Sequence, residues 1–279
     1  MFYDTDFEHE RNVYGGLGPS SHPHLINLLF TYKQRSKHYF VFPSADGNLR
    51  DYWEKNPRFV LRPRFLKWSL EQIVGIASGL AFFHEFTSPT TRMACYGRHG
   101  NIKAQNILWF RDRNILKIAD LGVANVRGKG SRSNASASNI VVSPTYSPPD
   151  VERKHSISRK WDIWGLGCLY LEFITYLVLG PNAIDEFSDK RCDGSNEIRE
   201  FYTDSFYSVD YETVKPSVGS WVGYLKQNSR CSTMMHDILD LVMREMIVID
   251  PNERCSSLEV HRKLKRILER ALEDQKLSS

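Results

Sequence analysis

The chain has 279 residues, 41% hydrophobic, 12% aromatic and 25% charged, which excludes a disordered, collagen-like or disulfide-scaffold protein and allows one large domain or two modest ones. Lys plus Arg number 37 against 33 Asp plus Glu, and this excess of four announces no nucleic-acid partner. The five cysteines (Cys95, Cys168, Cys192, Cys231 and Cys255) show no CxxC spacing, so neither a disulfide framework nor a structural zinc site is expected, and an intracellular, cytoplasmic location is.

The opening MFYDTDFEHERN is charged and fits no secretory signal. Residues 6–17 read as a short helix closed by Gly15, Gly16, Gly18 and Pro19. The β-rich runs LINLLFTY and HYFVF, with KQRSK between them, predict a strand pair joined by a turn. SADGN is turn-forming, and LRDYWEK starts a short helix. From Arg64 to Phe86 the apolar positions Phe65, Trp68, Leu70, Ile73, Ile76, Leu80 and Phe83 recur at helical spacing and predict a long amphipathic helix. An irregular stretch, RHGNIKAQN, precedes two short strands, ILWF and ILKIA, around a turn at 111–114. Residues 127–139, RGKGSRSNASASN, form the low-complexity patch and read as a mobile loop.

Ile163 to Leu179 is an apolar run broken only by Glu172. It is at the short limit for a bilayer, carries an ionisable residue near its middle and follows Arg159, Lys160 and Asp162, so a buried core helix is expected and no membrane. Beyond it come a polar and aromatic stretch at about 181–230, a helix at HDILDLVMREMI and an amphipathic helix over 258–277. Strand pairs first and helices after them predict an α+β architecture with segregated lobes.

Four short motifs follow one another in order. His99-Gly100-Asn101-Ile102-Lys103-Ala104-Gln105-Asn106 resembles the H-R-D-x-K-x-x-N catalytic loop of protein kinases, and Asp120-Leu121-Gly122 their D-F-G. Tyr146-Ser147-Pro148-Pro149-Asp150 stands where that family has A-P-E, and Asp162-Ile163-Trp164-Gly165-Leu166-Gly167 resembles the D-x-W-x-x-G opening its central helix. The chain therefore resembles serine/threonine-type protein kinases over nearly its whole length, most closely domains of fungal type, whose loop often reads H-G-D.

The resemblance implies a bilobal fold: residues 1–45 as a partial N-lobe (helix, two strands and hinge), and 46–279 as a mainly α-helical C-lobe with an enlarged insert at about 181–230. It also implies ATP and magnesium as cofactors and a protein substrate or partner. Asn106 and Asp120 would hold magnesium through oxygen atoms, which suit that hard cation, and Lys103 would approach the γ-phosphate. Phe42 would be the gatekeeper, with Pro43 to Ala45 as the adenine hinge. Thr145 would hydrogen-bond around the catalytic loop, Arg254 would pair with Asp150, and Asp162 would tether the backbone of His99. His99, Leu121, Leu28 and Tyr14 would stack between the lobes.

The departures from the family matter as much. Asn101 replaces the aspartate that accepts the substrate hydroxyl proton, and an amide is a very poor base. General-base assistance contributes about 10² to 10⁴ in rate, so impaired transfer is expected. Glu10 fits the glutamate of the first large helix, but the sequence holds no G-x-G-x-x-G loop and no V-A-I-K lysine, so Glu10 is expected to lack its partner. A degenerate kinase and a part of a longer, active kinase both stay open. Gly100 replaces the arginine that receives an activation-loop phosphate, so the serines of 131–147, Ser136 and Ser138 among them, read as part of a plain flexible loop. Phe201, Tyr202, Phe206, Tyr207, Tyr211 and Trp221 are expected to pack the insert onto its own lobe, docking being the alternative. Small-molecule kinases of the aminoglycoside or choline type share an H-G-D loop, but Lys103, the P-P-D segment with Arg254 and the D-I-W-G-L-G helix argue against them.

Overall fold

Apart from Lys160, Asp162 and Glu172, the helix Lys160–Leu179 (α4) is apolar on every face, and such a helix is stable only where protein surrounds it. By length and composition α4 could cross a membrane, yet 94% of its most apolar window is buried within the molecule. It is the central helix of the core. The computed structural model describes residues 4–18, 22–57, 62–121, 125–128, 143–150, 152–153, 158–192 and 203–277.

The chain begins with α1 (Asp4–Leu17), two residues longer at its start than the sequence predicts, and runs into β1 (Phe30–Gln34) and β2 (Lys37–Val41). These two strands pair antiparallel from Phe30↔Val41 to Gln34↔Lys37, and Arg35 in the turn between them has φ +56°. They form a two-stranded sheet on their own. A parallel bridge, Leu25↔Ile118, ties this part of the chain to the elements that follow.

β3 (Gly47–Asn48), the first element past residue 45, pairs instead with β6 (Ile107–Phe110), which pairs with β7 (Ile115–Ile118). Asn48 caps α2 (Leu49–Lys55) by accepting from the Asp51 N–H, while the Asp51 carboxylate accepts from the Asn48 N–H. α3 (Pro63–His84) starts with proline at its first turn and buries Leu70, Ile73, Ile76, Leu80 and Phe83, five of the positions the spacing predicts.

A third small sheet was not legible in the sequence: β4 (Phe86–Thr87), β5 (Ala94–Arg98) and β8 (Asn125–Gly128), in the order β4-β5-β8. β8 overlaps the start of the expected mobile loop at 127–139, whose remainder, with Ser136 and Ser138, lies outside the described residues. The stretch expected at 181–230 holds two helices, α5 (Asn182–Cys192) and α6 (Pro216–Gln227). Phe206 and Trp221 are buried, and Trp221 stacks on Phe187 with ring centroids 5.1 Å apart. Trp221 donates its indole N–H to Thr175 of α4 at 3.0 Å and Tyr207 lies against Trp164, so these residues pack on the central helix, whereas Tyr211 is exposed; Phe201 and Tyr202 lie outside the described residues. α7 (Thr233–Leu241) continues into a wider turn over Val242–Met246, and α8 (Ser257–Leu277) packs against α3. The result is an α+β fold with a mainly helical C-terminal part.

Candidate active site

Asp162, in the first turn of α4, is fully buried and organises the segment at 99–106. Its Oδ2 accepts the backbone N–H of His99 and its Oδ1 that of Gly100, both at 2.7 Å, and Oδ2 also receives His84 Nε2 at 2.8 Å. Burial pushes the Asp162 carboxyl up, but the His84 hydrogen bond, the His84 and His99 rings and the Gly100 N–H together hold it below its ordinary value. A buried carboxylate thus fixes two successive peptide groups, and Gly100, just after them, adopts φ +82°.

His99 is fully buried. Its Nε2 donates to the Ala119 carbonyl at 2.9 Å, and its Nδ1 accepts the Asn101 N–H at 3.2 Å. This assigns the neutral Nε2–H tautomer. Burial lowers the His99 pKa more than Asp162 and the Ala119 carbonyl raise it, so the ring resists protonation. One imidazole therefore spans from the 99–101 turn to the residue beside Asp120.

Asn106 closes the loop. Its Nδ2 donates to the Asn101 carbonyl at 2.8 Å, and its own carbonyl accepts the Ala119 N–H at 2.9 Å. With Nδ2 engaged, Oδ1 is the side-chain atom left to bind a cation. Asp120 is exposed and sits at φ +65°, a conformation that costs a non-glycine residue about 1–2 kcal/mol and that fixes its direction. The backbone bonds bring 101, 106 and 120 into one neighbourhood. Among the described residues no group of three or more His, Cys, Asp or Glu could hold a metal alone. The oxygen donors of Asn106 and Asp120 fit magnesium whose remaining ligands come from phosphate and water.

On the other side, Tyr14 of α1 meets Phe42, ring centroids 5.1 Å apart, and its hydroxyl accepts the Leu121 N–H at 3.4 Å. Leu28 and Ala45 pack against the same core, and Pro43 is half-buried in the connection to β3. Burial, then Glu10, raises the Tyr14 pKa, so the phenol stays protonated. Glu10 is itself buried at 8% exposure and is engaged within the chain, so the expectation that it would lack a partner does not hold in this structure.

Asp150 and Arg254 are both fully buried and form a two-pronged ion pair at 2.5 and 3.0 Å. Arg254 spends its remaining donors on the carbonyls of Val248, Ile249 and Lys160. The pair clamps the end of the 143–150 segment to the turn before α8.

Thr145 stands elsewhere than expected. Its hydroxyl donates to Asp204 at 2.5 Å, away from residues 99–103. The hydroxyl residues that line a small crevice with Gly100, Asn101 and Ile102 are Ser143, Tyr146 and Ser147. The sequence reading also missed a buried charge network behind this segment. The Tyr146 hydroxyl donates to Glu172 at 2.5 Å; Arg191, 1% exposed, lies 3.9 Å from Glu172 and 3.6 Å from Asp204. The Arg191 guanidinium sits 4.2 Å from the ring centroids of both Phe187 and Phe206. Burial raises the Glu172 pKa although Arg191 and Tyr146 pull it down. The legible signal was Glu172 itself, an acid inside an apolar helix, which needs a partner.

The protein kinase domain family model matches residues 5–264. The chain belongs to the protein kinase family. Among curated proteins it is 28% identical over 245 residues to cyclin-dependent kinase 2 of Caenorhabditis elegans, covering 85% of this chain and 60% of that protein. It is 27% identical over 158 residues to the serine/threonine-protein kinase Nek5 of Homo sapiens, covering 55% of this chain and 20% of that protein. The chain thus spans less than two thirds of the length of either relative.

Proposed function

We propose that this chain is a serine/threonine-kinase-like domain that binds nucleotide weakly through magnesium and is impaired in phosphoryl transfer, acting by binding a protein partner. The division into a partial N-lobe over 1–45 and a C-lobe over 46–279 belongs to the same reading. The observation that carries it is Asn101 at the position of the base, held at both its N–H and its carbonyl. When bound, Mg·ATP would supply the transferable phosphoryl group. The chain's own parts are Asn106 and Asp120 as oxygen donors to the metal, Lys103 as the cation toward the γ-phosphate, and the connection of Phe42, Pro43 and Ala45 beside adenine. An asparagine at 101 can orient a hydroxyl by hydrogen bonding but cannot take its proton, which removes about 3–5 kcal/mol of barrier lowering.

A thermal-shift titration tests the binding half of the reading. ATP with magnesium is expected to raise the melting temperature slightly, ATP with a chelator not to, and Asp120→Ala to abolish the shift. An unchanged shift in Asp120→Ala would contradict these assignments.

A second reading is an active serine/threonine kinase whose phosphate-holding strands lie outside this chain. It draws on the two-stranded β1–β2 sheet, where Leu29, Phe30 and Tyr32 are 57%, 56% and 44% exposed. Joining a segment that carries a glycine-rich loop and a lysine strand to this chain, with Asn101 kept, would then give full activity.

A further inference from the structure

Away from residues 99–120, a cavity of about 650 Å³ opens between the end of α3, the residues leading into α4 and the start of α8. That volume lies within the range of small-molecule sites. Its apolar lining is Ala81, Phe82 and Ile163, with Leu258 at 47% exposure. Its basic lining stands among these, Arg159 and Lys160 just ahead of Ile163 and His261 one turn after Leu258, with Glu85 as the exposed carboxylate of the lining.

The two cations are anchored without a salt bridge. Arg159, exposed, donates one N–H to the His84 carbonyl at 2.8 Å and lies 5.1 Å from the Tyr96 ring centroid. The half-buried Lys160 ammonium donates to the Arg254 carbonyl. Among the described residues neither has a carboxylate within ion-pair distance, Glu259 acting on Lys160 only at longer range. Each keeps N–H donors beyond the one its carbonyl takes. Two anchored cations and an imidazole among apolar side chains around a ligand-sized space match one kind of molecule. That molecule carries an anionic head for Arg159 and Lys160 and a flat or aliphatic body for Phe82 and Leu258.

We propose that this cavity binds a small organic anion with an apolar body, an aryl phosphate being its simplest representative. The site is wired to the candidate active site. The His84 carbonyl holds Arg159, and the His84 ring holds Asp162, which holds the His99 and Gly100 peptides. Occupancy is therefore expected to tighten the 99–101 turn as well as the cavity walls.

Calorimetric titration of the full chain with phenyl phosphate, inorganic phosphate and benzyl alcohol tests the proposal. Phenyl phosphate is expected to bind at least about tenfold more tightly than either of the others, which each carry half of the recognition. Arg159→Gln should weaken it by about fivefold or more, and Lys33→Gln, an exposed cation on β1, should leave it unchanged. Because Arg159 also braces His84, His261→Ala is the second variant. It touches neither that bond nor Asp162 and should weaken binding at an unchanged melting temperature. Hydrogen exchange should slow at 78–85, 99–101 and 256–261 on binding. Absence of saturable phenyl phosphate binding, equal affinity for inorganic phosphate, or equal weakening by Lys33→Gln would each overturn the proposal.

Discussion

The side-chain amide of Asn106 donates to the main-chain carbonyl of Asn101 at 2.8 Å, while the Asn101 N–H reaches the ring of His99 at 3.2 Å. Both backbone groups of residue 101 are thus satisfied without help from its side chain. The loop geometry is built by His99, Asn106 and Asp162, and the identity of residue 101 decides only what chemistry the loop can offer. Asn101→Asp is accordingly expected to fold as the parent does, with stability changed by no more than about 0.5 kcal/mol.

Removing the organiser is a different matter. Asp162→Ala would strip the partner from two buried N–H groups and from His84 at once. The expected cost is about 3–5 kcal/mol, read as a lower urea midpoint. A loss below about 1 kcal/mol would mean that the loop holds itself.

The Asp150–Arg254 pair makes a prediction by double substitution. Arg254→Met leaves a fully buried carboxylate unpaired and should cost about 3–5 kcal/mol. Adding Asp150→Leu should recover much of that loss, because the buried charge is then gone. Strictly additive losses would contradict the assignment of the pair as a closed unit.

Acid should weaken the fold through its buried histidines. Burial holds His99, His24 and His261 below the ordinary histidine value and His22 down to about 4. The unfolded chain therefore binds protons that the folded chain refuses. Their contribution is fully present above about pH 6.5 and is lost as the pH falls through the folded values. The urea midpoint should decline steadily from pH 7 toward pH 4, and His22→Gln should flatten the lower part of that decline.

Gly97 in β5 leads directly into the 99–106 segment, and a Cβ there would meet the Phe83 carbonyl at 2.5 Å. Gly97→Ala should destabilise by about 1–3 kcal/mol, measured by the same unfolding curves, since a backbone atom cannot swing aside.

Legibility followed the range of the forces involved. The long helices α3 and α8 carry their periodicity in their own residues, and the four motifs carry their chemistry in residue types. Asp150 with Arg254, and Asp162 with His99, could be paired before any coordinates through the resemblance of their motifs to those of protein kinases. The strands of the β4-β5-β8 sheet were not legible: β4 has two residues, and β5 exists because Arg98 pairs with Asn125, far along the chain. The partner of Thr145 was not legible because Asp204 approaches it only in the folded chain. Arg191 was missed for the same reason, as its partners Glu172 and Asp204 converge only in the folded chain.

The most direct test is transfer of labelled γ-phosphate from Mg·ATP to a serine-containing peptide by the purified 279-residue chain and by its Asn101→Asp variant. The chain is expected to show no turnover, and the variant to recover little, since neither sequence contains the glycine-rich loop or the lysine strand. Turnover by the parent chain at about 1–100 s⁻¹, the ordinary range of protein kinases, with Asn101 in place would contradict the account.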